Sequence, residues 1–114
     1  MDELTSLQAT ILKALANPVR LEILHAIAEG PTNVGRLATE LELSQPNVSQ
    51  HLAVLRSTGL VEVDRDGREA RYRLTDPDVI AACDLMRGVL ERRLGRLSRL
   101  ADSARLPDLL LPIN

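Results

Sequence analysis

SQPNVSQHLAVLRSTGLVEVDRDGREARYRLTD, from Ser44 to Asp76, switches within one run from helical to strand periodicity. Ser44 is a good N-cap, because its hydroxyl can take one of the backbone N–H groups that a helix start leaves without a partner. Pro46 suits the first turn, where no N–H is needed. Val48, Leu52 and Leu55 then recur at helical spacing, and Gly59 stops the pattern near Thr58. Beyond it Val61 and Val63, then Ala70, Tyr72 and Leu74, alternate with period 2 around Asp66-Gly67. Asp-Gly between two such runs predicts a β-hairpin with that pair as its two-residue turn.

Upstream, the chain reads as three more helices. Leu4, Leu7, Ile11, Leu12 and Leu15 form a first amphipathic stripe that fades near Ala16. Asn17-Pro18 restarts the pattern as N-cap and first helical residue, with Leu21, Leu24, Ile27 and Ala28 expected inward and Gly30-Pro31 as the stop. Thr32 or Asn33 caps a short third helix through Val34, Leu37, Ala38 and Leu41. A turn at Glu42-Leu43 leads back to Ser44. Residues 34–58 thus match two short helices joined by a tight turn, a helix-turn-helix.

Downstream, Asp76 or Pro77 opens a long helix to about Ala104. Val79, Cys83, Met86, Leu90, Leu94, Leu97 and Ala101 lie on its apolar stripe. The expected order is four helices, a hairpin and a fifth helix: a mainly α chain with a β-hairpin, the winged helix-turn-helix class. Residues 1–104 are expected to form one domain, and the apolar, proline-bounded tail 105–114 to pack back on it.

The chemistry sits on the fourth helix and the hairpin. With Val48, Leu52 and Leu55 inward, Gln45, Asn47, Ser49, Gln50 and Arg56 are left on other faces. Glutamine and asparagine can pair bidentately with adenine, and serine can meet a base or a phosphate. An ordinary solvated helix face would be rich in Glu and Lys, yet no carboxylate stands between Ser44 and Thr58. An anionic partner accounts for that exclusion. In the hairpin, Arg71 and Arg73 share one face of the second strand, and Arg65 and Arg68 flank the turn. Planar, permanently charged guanidinium groups suit phosphate oxygens or a narrow minor groove. Cross-strand salt bridges with Glu62, Asp64 and Glu69 are the competing use of the same arginines.

The net charge of −2 is awkward for a DNA-binding chain, but its distribution matters more than its sum. Residues 1–43 carry three basic and six acidic groups, residues 44–75 five arginines against four acids, and the rest is balanced. A local basic surface therefore requires the hairpin acids to point away or to be occupied. The single aromatic residue, Tyr72, leaves a core of Leu, Ile, Val and Ala, which favours packed helices.

Other function classes find little. The start MDELTSLQ is acidic and polar, with no apolar run of signal-peptide kind, and no segment approaches about 18 consecutive apolar residues. A cytoplasmic protein without a membrane contact is expected. One cysteine, Cys83, excludes an intrachain disulfide. It is either a small core hydrophobe or, if the last helices pair across a twofold, an intermolecular disulfide or thiol sensor. His25 is placed at the core boundary of the second helix. His51 either donates to a phosphate or packs at the helix-turn-helix joint. Neither has metal-ligand company at helical spacing, so no metal and no cofactor are expected. No G-x-S-x-G, phosphate loop or organised cysteine base appears, and no enzyme is expected.

LKALANPVRLEILHAIAEG (Leu12 to Gly30), LSQPNVSQHLAVLRSTGLV (Leu43 to Val61) and DGREARYRL (Asp66 to Leu74) together resemble the ArsR/SmtB family of bacterial winged-helix repressors. The likeness spans about residues 7–100 in order, spacing and identity. It implies a homodimer built from the first and last helices, placing Leu7, Ile11, Val79, Cys83, Met86, Leu90, Leu94 and Leu97 at the interface. It also implies two recognition helices in successive major grooves of a palindromic DNA operator, and repression relieved by an inducer. By position Gln45, Asn47, Ser49, Gln50 and His51 fall on the recognition helix and Arg65, Arg68 and Arg71 on the wing, with Ser44 at the helix start and Arg56 further along it. Many members sense metals through a Cys-x-Cys pair on the preceding helix. Here that stretch is TNVGRLATEL (Thr32 to Leu41), without a thiol. No histidine follows His51 for a metal site on the last helix, so the resemblance leaves the inducer open. Two rivals stand beside it: a redox-responsive regulator acting through Cys83, and a winged-helix module that binds a protein, with Leu109 to Ile113 as its best feature.

Overall fold

A computed structural model describes residues 2–100; the tail at 105–114, Ala101 and the expected helix end at Ala104 lie outside the described residues. The elements are α1 (Glu3–Leu15), α2 (Pro18–Ala28), α3 (Val34–Leu41), α4 (Gln45–Ser57), β1 (Val61–Asp66), β2 (Glu69–Leu74) and α5 (Asp78–Leu100). Two units are distinguished, Met1–Ile80 and Ala81–Asn114. The first holds the winged helix-turn-helix.

Each of the first four helices is capped by a short polar side chain. Asp2 accepts from Thr5 N–H at 2.6 Å, Asn17 from Arg20 N–H at 3.1 Å, Asn33 from Arg36 N–H at 2.8 Å and Ser44 from Asn47 N–H at 3.2 Å. Caps of this kind contribute about 1 kcal/mol each. Of the two candidates at the third helix, Asn33 is the cap. Between α3 and α4 the chain turns through Glu42, which adopts the left-handed conformation at φ 56°. Leu43 N–H then reaches back to the Ala38 carbonyl at 3.0 Å and closes the turn.

The core is aliphatic. Ile23, Leu24, Leu37, Val48, Leu52, Leu55 and Val61 are fully buried, with Ala14, Ile27, Ala38 and Leu60 around them. Burying one such Leu or Ile contributes roughly 2 kcal/mol. Two inward positions differ from the periodicity in α2. Ala28 is exposed, because it lies in the last turn where the helix runs off the core, and Ile23 is buried, so the inward face is Ile23, Leu24 and Ile27, with Leu21 at its edge.

The hairpin pairs Val61 with Leu74, Val63 with Tyr72 and Asp66 with Glu69. That register corrects the expected turn. Asp66 belongs to the strand, and the two central turn residues are Gly67 and Arg68, with Gly67 at φ 64°. Glycine at the first central position is what a two-residue turn of the II′ kind requires. Tyr72 also pairs outward from the hairpin: its N–H donates to the Thr32 carbonyl at 2.7 Å and its carbonyl accepts from Thr32 N–H at 3.1 Å. The hairpin is thereby fixed to the residue just before α3.

α5 begins where Asp76 accepts from Asp78 N–H at 2.9 Å. Val79 and Ile80 pack on the core of the first unit, as does Ile11 from α1. Further along α5, Leu85, Met86, Val89, Leu90 and Leu94 are exposed, and so are Leu4, Leu7 and Leu12 of α1. No helix of the described residues is long and apolar enough to cross a membrane.

Candidate nucleic-acid interface

α4 is anchored by Val48, Leu52 and Leu55, which lie on one stripe and are at most 1% exposed. The helical period therefore dictates what faces away. Gln45, Ser49, Gln50 and Arg56 are exposed, while Asn47 and His51 are half-buried at the flank of the face. Ser44 is exposed, but its hydroxyl oxygen is engaged as the cap, leaving its O–H as the group it can offer. Beside this face a groove of about 380 Å³ runs between α4 and β2, lined by Ser49, Ala53, Arg56, Ser57 and Tyr72. Tyr72 is thus half core and half groove wall.

The wing resolves the competition for its arginines. Arg73 Nε donates to Asp64 Oδ2 at 2.7 Å, and its Nη2 to Glu62 Oε2. The hydrogen bond and charge of Asp64, with Glu62 behind it, raise the Arg73 guanidinium above its ordinary value. Glu69 accepts from Asn33 Nδ2 at 2.7 Å and lies 3.7 Å from Arg71 Nε. Three of the four hairpin acids are therefore occupied by Arg73, Arg71 and Asn33. Among the described residues no ion pair or hydrogen bond engages the side chains of Arg56, Arg65 or Arg68, and all three are exposed. Arg65 and Arg68 stand at the tip, where an uncommitted guanidinium can meet phosphate oxygens.

Arg20 was not singled out by the sequence, where it counts only as one charge among three in the first 43 residues. In the fold it lies in the first turn of α2, with Nε donating to the Ala14 carbonyl at 2.6 Å and Nη1 3.4 Å from His51 Nδ1. Nothing in linear spacing links positions 20 and 51; the packing of α2 on α4 does.

Cys83 is half-buried on α5. Burial, and secondarily the Asp84 carboxylate, push its thiol up from the ordinary value. That disfavours the thiolate, the form that reacts. Among the described residues no group of three or more His, Cys, Asp or Glu side chains could hold a metal ion.

Comparison with known proteins agrees with this architecture. Residues 17–63 match the model of the bacterial regulatory proteins of the arsR family. The biofilm growth-associated repressor of Xylella fastidiosa is 43% identical over 68 residues, 60% of this chain and 60% of that protein. The transcriptional activator HlyU of Vibrio cholerae is 38% identical over 86 residues, 75% of this chain and 80% of HlyU. Among solved structures, a homodimeric winged helix-turn-helix DNA-binding domain from Mycobacterium bovis, described as a possible ArsR-family regulator, superposes with a TM-score of 0.73 at 36% identity. It covers 80% of this chain and 84% of that one. The family is one of regulators and not of enzymes. With its capped helix-turn-helix, its wing and this kinship over most of its length, the chain belongs to the arsR family of bacterial regulatory proteins.

Proposed function

We propose that the chain is a sequence-specific DNA-binding transcription regulator, a homodimer that represses from a palindromic operator in the cytoplasm. One observation carries the reading. The exposed face of α4 has no carboxylate from Ser44 to Thr58, and the adjoining wing keeps Arg65 and Arg68 uncommitted while three of its four acids are occupied internally. Gln45, Asn47, Ser49 and Gln50 supply base-reading groups, His51 a flanking donor, and Arg56, Arg65, Arg68 and Arg71 the phosphate contacts.

Residues 1–104 act as the binding and dimerisation domain in this reading. One short helix offers too few base contacts for specificity, and two half-sites about one helical turn apart supply the rest. The exposed leucines of α1 in the first unit, and those of α5 in the second, are each apolar surface that dimerisation would cover. Binding to DNA fragments selected by the protein, followed by fluorescence anisotropy across a salt series, tests the proposal. Affinity falls steeply with salt if phosphates are neutralised. A salt-independent affinity would remove the DNA reading and favour a protein partner.

A further inference from the structure

Arg20 lies outside the helix-turn-helix, yet its guanidinium touches the helix that carries the base-reading groups. Nε donates to the Ala14 carbonyl at 2.6 Å, Nη2 to the Lys13 carbonyl at 3.4 Å, and Nη1 lies 3.4 Å from His51 Nδ1. The two carbonyls close the end of α1, so the fork is fixed on a rigid frame before it meets the ring. Guanidinium nitrogens are donors only. Their contact with Nδ1 is a hydrogen bond only if Nδ1 carries a lone pair. A neutral imidazole with a bare Nδ1 holds its proton on Nε2.

That proton has somewhere to go. Nε2 has no partner among the described residues, and Thr32 Oγ1 is the one buried side-chain polar atom among them that lacks one, so Nε2 is reached by solvent. His51 is half-buried at the flank of the exposed α4 face, one turn from Asn47 and away from the centre held by Gln50. A group at the flank of a helix in a groove meets the strand that borders the groove, which presents phosphates, whereas the centre meets base edges.

We infer that Arg20 is a positioning residue of the DNA interface: it holds His51 as the Nε2–H tautomer, so that α4 presents a ring N–H to a phosphate oxygen. The phosphate half of the inference rests on the proposed function, and the tautomer half stands on the free protein. His51 is the residue that meets the DNA, and Arg20 acts through it.

The test has two arms. In the first, ¹⁵N ring signals of His51 are recorded on the free protein at a pH where imidazoles are neutral. The wild type shows an unmixed Nε2–H tautomer. Arg20→Met, which keeps length and removes the donors, shows the two tautomers mixed, and Arg20→Lys restores part of the bias. A wild-type ring protonated on Nδ1, or one unchanged by Arg20→Met, overturns the inference.

In the second arm, binding to a random-sequence duplex at low salt is measured for Arg20→Met, His51→Ala and the double variant. Each single change weakens binding about fivefold, the scale of one hydrogen bond, and the double variant is no weaker than His51→Ala. Losses that multiply show that Arg20 does not act through His51 and overturn it. If Arg20→Met fails to fold, the wild-type ring signals and His51→Ala still decide. A wild-type chain that binds no duplex removes the proposed function and the phosphate contact together, while the ring signals report separately on the tether.

Discussion

Asn33 Nδ2 donates to the Glu69 carboxylate at 2.7 Å, so the residue that caps α3 also holds the wing. Its Oδ1 meanwhile accepts from Arg36 N–H at 2.8 Å. One amide thus links the start of the helix-turn-helix to the first residue of the second strand, on the chain segment where Thr32 pairs its backbone with Tyr72. The same bond, with Arg71 Nε 3.7 Å away, orients the exposed Glu69 carboxylate.

The two halves of that amide can be separated. Asn33→Ala removes both and lowers stability by about 1 kcal/mol, the value of a lost cap. Asn33→Ser keeps a capping oxygen but cannot reach Glu69, and leaves the urea midpoint near that of the wild type. In both variants hydrogen exchange at the Thr32 and Tyr72 amides quickens. Unchanged exchange in Asn33→Ser would mean that the wing is held by its backbone pairing alone.

Arg68 and Arg73 are predicted to behave oppositely although both are wing arginines. Arg68 is uncommitted at the turn, and Arg68→Ala flattens the slope of log affinity against log salt by about one per protomer. Arg73 is held by Asp64 and Glu62. Arg73→Ala leaves that slope near its wild-type value and weakens binding by unmasking two carboxylates. Equal slope changes for the two variants would show that the ion pairs open on the DNA.

Much of this was legible in the sequence because it depends on local rules. Ser44, Asn17 and Asn33 are caps by residue type and place, and the stripe Val48, Leu52 and Leu55 fixes which side chains α4 turns outward. The hairpin was legible from its alternation, but its turn slipped by one residue. Asp-Gly is a strong turn pair, and here the pairing of Asp66 with Glu69 takes Asp66 into the ladder. The competition among Arg71, Arg73 and their acids could not be settled from residue types, since it depends on cross-strand register. Arg20 with His51, and Asn33 with Glu69, were invisible for a related reason: each joins positions more than 30 apart that only packing brings together.

Cys83 is predicted to be a sluggish thiol. Burial and then Asp84 raise it above the ordinary cysteine value. A raised acid favours the protonated form in the fold, so its contribution to stability is full below the unfolded thiol's titration range. It is lost as pH rises through the folded value. Iodoacetamide should therefore alkylate Cys83 more slowly than a free model thiol at neutral pH, with the rate climbing only under alkaline conditions. Cys83→Ser should leave DNA affinity unchanged. A disulfide-linked dimer on non-reducing gels after mild oxidation at neutral pH would restore the redox reading.

The family resemblance places both Leu90 and Ile11 at the dimer seam, but their surroundings in the fold differ. Ile11 is packed against the core of its own chain, whereas Leu90 is 52% exposed on α5. Ile11→Ala should cost about 2 kcal/mol in urea unfolding and leave the sedimenting species a dimer. Leu90→Glu should place a charge on the apolar α5 face and shift sedimentation to a monomer. Because a monomer brings one α4 and one wing to the duplex, its salt slope should be about half that of the wild type. A Leu90→Glu protein that still sediments as a dimer would move the seam off this face of α5 and onto the exposed leucines of α1.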